Sequence, residues 1–200
     1  MEKKYKLTEE TKEWRGFTLH RIEALKDFGD VKTGDKGGWI EKEKNLSQEG
    51  DAWVSDNAWV SDNAKVSGDA KVSGDAKVSG NAKVSGDAKV SGDAKVSGDA
   101  KVSDNAEVSD NAKVSGDAKV SGDAWVSDNA EYIVFKNWWS SCRYFTWTRS
   151  NNKWKVGCFY GTGEELIKKA YADSEKSGRE YERIVKYVES ILADEEKNKE

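Results

Sequence analysis

Proline is absent from these 200 residues, and histidine and methionine occur once each. Average usage would supply roughly ten prolines (~5%), so proline-rich linkers are excluded. Two cysteines cannot staple a secreted disulfide scaffold. No apolar run approaches the ~18 residues of a membrane span, and the start MEKKYKLTEE carries no apolar signal core. Charge of one sign is also lacking. Lys and Arg total 33 against 37 Asp and Glu, a net −4 that excludes a global affinity for polyanions. The expectation is a cytoplasmic, membrane-free chain with no metal site and no cofactor. Charged residues make up 35% of it, above the typical ~25%, yet nine tryptophans argue for a folded core over disorder.

What is present is a repeat. From Asp51 to Ala130 one hexad recurs, Asp/Asn-Ala-Xaa-Val-Ser-Gly/Asp. Valine occupies every sixth position from Val54 to Val126, and an alanine sits two residues before each. Six is no multiple of the helical period of ~3.6, so these valines would wind around every side of a helix. Ser-Gly-Asp is also poor helical sequence. In a strand, Ala and Val point to one side and the residue between them to the other. Ser-Gly-Asp or Ser-Asp-Asn then turns the corner, with Gly or Asn supplying positive φ. Three such sides make an 18-residue coil, and eighty residues make a little over four coils stacked at the ~4.8 Å strand spacing. The hexads hold without an insertion or deletion, which a disordered low-complexity tract would not require.

The 18-residue coil predicts surface columns. Lys65, Lys83, Lys101 and Lys119 stack on one side, and Lys77, Lys95 and Lys113 on another. The third column reads Trp53, Lys71, Lys89, Glu107, Trp125. Interleaved Asp corners make this a solvated surface that resists sticking. Trp53, Trp59 and Trp125 occupy outward positions only in the end coils, so they are expected to receive the flanking segments that cover the open ends.

Residues 1–50 form an N-terminal cap and solenoid lead-in, 51–130 the solenoid, and 131–200 a C-terminal hairpin plus two helices. The lead-in holds a strand, FTLHRIEAL, and glycines Gly34, Gly37 and Gly38, which are read as turns because no phosphate-loop pattern surrounds them. Ile40, Leu46 and Ala52 are six apart, so the rhythm begins before the clean hexads.

Ten of residues 131–160 are aromatic, and five Lys or Arg oppose one Glu. Strands CRYFTWTR and KWKVGCFY flank Ser150-Asn151-Asn152, a hairpin in which Arg149 is expected opposite Lys153. One face then carries Arg143, Trp147, Arg149, Lys153 and Lys155, basic groups interleaved with rings, the expected ligand or partner surface. The opposite face, with Cys142 and Cys158 as reduced core thiols, packs under helices. Thr162-Gly-Glu-Glu165 opens the first helix as a capping box. A second helix spans about 178–193, and its tail ADEEKNKE is expected to fray.

Val-Ser-Gly-Asp-Ala-Lys resembles the hexapeptide repeat of left-handed parallel β-helices. The lead-in RIEALKDFGDVKTGDKGGWIEKEKNLSQEGDAWVSDNA and the terminal VGCFYGTGEEL resemble hexapeptide-repeat proteins carried by phages and prophages. The resemblance implies the solenoid's left hand, a small C-terminal α+β domain, a trimer-favouring homo-oligomer, and residence in the cytoplasm of an infected or lysogenic bacterium. Many left-handed β-helix proteins are acyltransferases, which implies a catalytic histidine beside a coil and loops for coenzyme A. The repeats here contain no His, no Cys and no inserted loop, and His20 lies in the N-terminal strand, so no catalytic residue is assigned. The expected function is a non-enzymatic binding protein whose solenoid presents the C-terminal cap to a protein partner. A counter-defence protein that sequesters a nucleotide or engages nucleic acid is the alternative, and an acyltransferase the third reading.

Overall fold

A computed structural model describes residues 2–198. Three strands precede the repeat: β1 (Tyr5–Trp14), β2 (Phe17–Ala24) and β3 (Lys36–Ile40). Each hexad then contributes one two-residue strand centred on its Xaa-Val pair, thirteen in all, from β4 (Trp53–Val54) to β16 (Trp125–Val126). Every third strand pairs in parallel with its predecessor, so Val54, Val72, Val90, Val108 and Val126 stack in one column. All thirteen valines and their preceding alanines are buried to within about 1%. The expected columns are the observed ones. With the lead-in included, the solenoid has about five turns: Ile40 pairs with Val60 and Leu46 bridges to Val66. The lead-in therefore sits in the same three-sided stack.

Two readings of the glycines and corners are corrected. Gly37 and Gly38 lie inside β3, not in turns. A Cβ on Gly37 would stand 2.5 Å from Ile22 and Trp53 side-chain atoms, so close packing is what requires glycine there. At the Ser-Asp-Asn corners positive φ falls on Asp56, Asp62, Asp104 and Asp110, not on Asn. The reason is compensation. Asp56 and Asp62 carboxylates accept the amides of Gly74 and Gly80, one coil further on, at 3.0 Å each.

Open ends leave backbone groups without partners, and side chains supply them. At the N-terminal end the Lys4 ammonium donates to the carbonyls of Gly50 (3.0 Å) and Ala52 (2.8 Å). Asn45 Nδ2 donates to Ala64 O at 2.9 Å, and the Tyr5 hydroxyl lies 2.8 Å from Leu46 O. At the other end Lys113 N donates to Asn129 Oδ1 (2.8 Å), Lys119 N to Thr146 Oγ1 (2.8 Å) and Trp125 N to Ser150 Oγ (2.7 Å).

Those acceptors belong to the C-terminal domain and its approach. Strands β17 (Tyr132–Lys136), β18 (Tyr144–Thr148), β19 (Lys153–Val156) and β20 (Phe159–Gly161) form an antiparallel sheet, followed by α1 (Gly163–Asp173) and α2 (Glu175–Lys197). A four-stranded sheet thus replaces the expected hairpin. Thr162 and Glu165 form the reciprocal cap that starts α1. Of the tail expected to fray, Ala193 to Lys197 continue α2 and Asn198 caps it, and Lys199 and Glu200 lie outside the described residues. No helix among the described residues is long and apolar enough to cross a membrane.

Candidate functional site

The register of β18 against β19 decides which side chains reach the surface. Thr148 opposes Lys153, Trp147 opposes Trp154 and Thr146 opposes Lys155. This is one residue away from the expected pairing of Arg149 with Lys153, and a one-residue slip sends every opposed side chain to the other face. Trp147 accordingly joins Phe145 and Trp154 in a core with Leu166, Tyr181, Val185 and Val188 from the helices. It is only 3% exposed, and its Nε1 donates to Asn152 Oδ1 at 2.8 Å. The expected basic-aromatic face therefore does not exist as drawn.

Its members disperse. Arg149 forms an ion pair with Glu195 of α2, which holds its guanidinium above the usual range. Lys153 is half-buried on the side of the sheet turned toward the solenoid. Cys142 and Cys158 are exposed, because they stand in the turns before β18 and β20 and not in strands. Trp53 and Trp59 do receive flanking rings, Phe28 at 5.4 Å on Trp53 and Trp14 at 5.9 Å on Trp59. Trp125 stays 51% exposed, its ring held by one hydrogen bond to Ser109, so it is not a covered docking residue.

Arg143 and Lys155 remain together, but with partners from the solenoid. The bond from Lys119 N to Thr146 Oγ1 docks β18 beside the column Lys83–Lys101–Lys119. Between them lies a cleft of about 590 Å³, lined on one side by this column with Asn81, Asp99 and Asp117, and on the other by Cys142, Arg143 and Tyr144. Burial, and then the like charges of Lys101, Arg143 and Lys155, lower the Lys119 ammonium from its ordinary value, with Asp117 opposing. None of Lys83, Lys101, Lys119, Arg143 and Lys155 forms an ion pair among the described residues. Elsewhere on the solenoid Lys71 pairs with Asp30 and Lys89 with Glu107, while Lys65, Lys77, Lys95 and Lys113 are likewise without an ion pair among the described residues. The arrangement is chemically suited to an anion carrying several oxygens. Lys83, Lys101, Lys119 and Tyr144 are members that the expected site omitted. The 18-residue period had already put the three lysines in one column, but nothing in the sequence says which solenoid side the C-terminal sheet meets.

No family model matches the chain. An uncharacterized acetyltransferase of Escherichia coli (strain K12), YdcK, is 39% identical over 62 residues, which cover 27% of this chain and 19% of that protein. The chain thus spans about a fifth of the length of the curated relative it matches. The coil geometry and this partial match together support a hexapeptide-repeat β-helix protein.

Proposed function

We propose that the chain is a non-enzymatic interaction protein whose solenoid is a rigid spacer, and whose C-terminal domain and last coils grip an anionic group of a partner. The single observation carrying this reading is the convergence of Lys101, Lys119, Arg143 and Lys155, none of them in an ion pair among the described residues. Crowded like charges oppose folding, and Arg143 and Lys155 add to a column that already carries Lys83, Lys101 and Lys119. Asp99 and Asp117 line the same cleft, but two carboxylates leave Lys83, Lys101, Lys119, Arg143 and Lys155 in excess, which a bound anion would offset. At a net charge of −4, retention on a phosphate-bearing matrix has to come from a local patch. Full-length protein is expected to bind phosphocellulose at ~10 mM ionic strength, where charges act over ~30 Å, and to elute as salt rises. Lys119→Ala with Arg143→Ala should flow through with a melting temperature no lower than that of the wild type, because repulsion among the cations is relieved. Unretained wild-type protein would sink the reading.

The same proposal includes the phage or prophage origin, a cytoplasmic setting in the bacterial host, and self-association, all implied by the resemblance. Solenoid sides that carry Lys columns lack an apolar seam, so the aromatic terminal regions supply the contacts. Light scattering at micromolar concentration should show a species larger than the 22.3 kDa monomer, and a monomer alone would remove self-association from the proposal.

Acyl transfer is the second reading, favoured by the acetyltransferase name of the E. coli relative. The sole histidine, His20, holds its Nδ1 3.3 Å from Thr8 O within the N-terminal sheet, whereas the cleft lies at the C-terminal coils. Thiol release from acetyl-coenzyme A that disappears in His20→Ala would establish this reading over the first.

A further inference from the structure

We infer that the cleft takes a nucleoside phosphate, its phosphates on Lys119 and Arg143 and its base on Tyr144, an assignment that rests on the anion reading above. Tyr144 is the first residue of β18 and lines the cleft next to Arg143. It is an aromatic ring left 37% exposed where most of its sheet is covered. The Lys136 ammonium stands 5.4 Å from the ring centroid, a further cation beside the ring. An exposed ring beside unpaired cations is the combination by which proteins hold bases and phosphates together.

The acids in the cleft narrow the class. Asp99 and Asp117 lie at successive corners of the side that bears Lys101 and Lys119, with Asn81 at the corner before them. A long phosphate backbone laid along the lysine column would meet both carboxylates. Ribose hydroxyls, in contrast, need hydrogen-bond acceptors beside the phosphate-binding cations, and Asp99 and Asp117 line the same cleft. Asp99 already receives Asn81 Nδ2 on Oδ1 at 3.1 Å, which leaves its other oxygen for a ligand hydroxyl. The volume of about 590 Å³ is of small-ligand size, within the usual ~300–1,000 Å³. Bare phosphate would leave the ring and both carboxylates unused.

Calorimetric titration of the full chain with the four ribonucleoside triphosphates, inorganic tripolyphosphate and a single-stranded oligonucleotide tests this. At least one nucleotide should bind about tenfold or more tighter than tripolyphosphate, the lower part of the range for one stacked base. Tyr144→Leu should weaken that nucleotide at least about fivefold and leave tripolyphosphate unchanged, while Tyr144→Phe keeps the wild-type difference. Lys119→Ala with Arg143→Ala should abolish both, with melting curves confirming that each variant folds. Tripolyphosphate binding as tightly as every nucleotide would overturn the nucleoside assignment and leave the anion reading standing. Absence of binding by any of these anions would overturn both. Oligonucleotide binding that tightens with length beyond any mononucleotide would overturn the small-ligand class in favour of a single strand.

Discussion

Replacing Val90 by threonine exchanges one methyl for a hydroxyl at almost constant volume. Val90 is fully buried and stacked in register between Val72 and Val108. Its carbonyl already accepts Ser73 N at 2.9 Å, and the side chains above and below it are aliphatic. A hydroxyl placed there loses water and gains no side-chain partner, which costs about 1–3 kcal/mol. Val90→Ala removes two methyl groups, each worth ~0.8 kcal/mol of transfer, and leaves a void between rigid neighbours, for a total of about 2–3 kcal/mol. The neighbouring Lys89 points outward, and its 2.8 Å pair with Glu107 joins side chains 59% and 47% exposed. Lys89→Ala should therefore change stability by less than ~0.5 kcal/mol. Urea titration read by circular dichroism reports the solenoid. Tryptophan fluorescence reports its ends, since no tryptophan lies between Trp59 and Trp125. Coincident transitions would show that the rod and caps unfold together, and separate ones that the mid-rod has its own stability. Equal urea midpoints for Val90→Thr, Val90→Ala and Lys89→Ala would refute a solenoid held together by its inward valines.

Three further expectations concern the corners, the cap and the C-terminal core. Gly98 has φ 68°, and a Cβ there would lie 2.9 Å from Gly116 N, so Gly98→Ala should cost at least ~1–2 kcal/mol. Gly98→Asp should cost less, because its carboxylate can accept the Gly116 amide as Asp56 accepts that of Gly74; the reverse order of urea midpoints would discredit the corner account. Burial lowers Lys4 to about 8, from an ordinary value of 10.5. Between those values the unfolded chain binds the proton more tightly, so this group's contribution to stability rises with pH across the window, and Lys4→Met should flatten that rise in midpoints measured from pH ~7.5 to ~10. Tyr5, raised by burial, acts in the opposite sense above its ordinary value of 10.0, which closes the window. Trp147→Ala should destabilise the C-terminal domain by about 3–5 kcal/mol, whereas Arg149→Ala, whose pair is partly exposed, should cost about 1 kcal/mol or less. Comparable melting temperatures for these two would contradict the observed β18–β19 register.

How legible the molecule is in its sequence depends on how far apart the deciding contacts lie. Every solenoid valine has its neighbours one coil away in the same repeat, so period and residue type settle its direction, its column and the charge of the outer face. The caps lack that redundancy. Asn152 at φ 49° lies in a four-residue loop, where Ser-Asn-Asn also suits a loop one residue shorter. That single-residue difference carries Trp147 from the surface to the core, because strand alternation has a period of two. β1 escapes the same reading since YKLTEETKEW is mostly exposed and charged, and only its pairing with β2 makes it a strand. Lys4 reads as an ordinary surface lysine until the first coil presents it with unpaired carbonyls.

By itself, then, the amino-acid sequence determined the hexad, the inward alanines and valines, the lysine columns and the capping box of α1, since each follows from local periodicity and chemistry. Only the tertiary structure decided that the C-terminal sheet meets the side bearing Lys83, Lys101 and Lys119, and so placed Arg143, Tyr144 and Lys155 beside them. The three solenoid sides are nearly identical in sequence. Choice among them rests on the docking of Thr146 and Ser150 onto the unpaired amides of Lys119 and Trp125, a contact between distant segments that no repeat encodes.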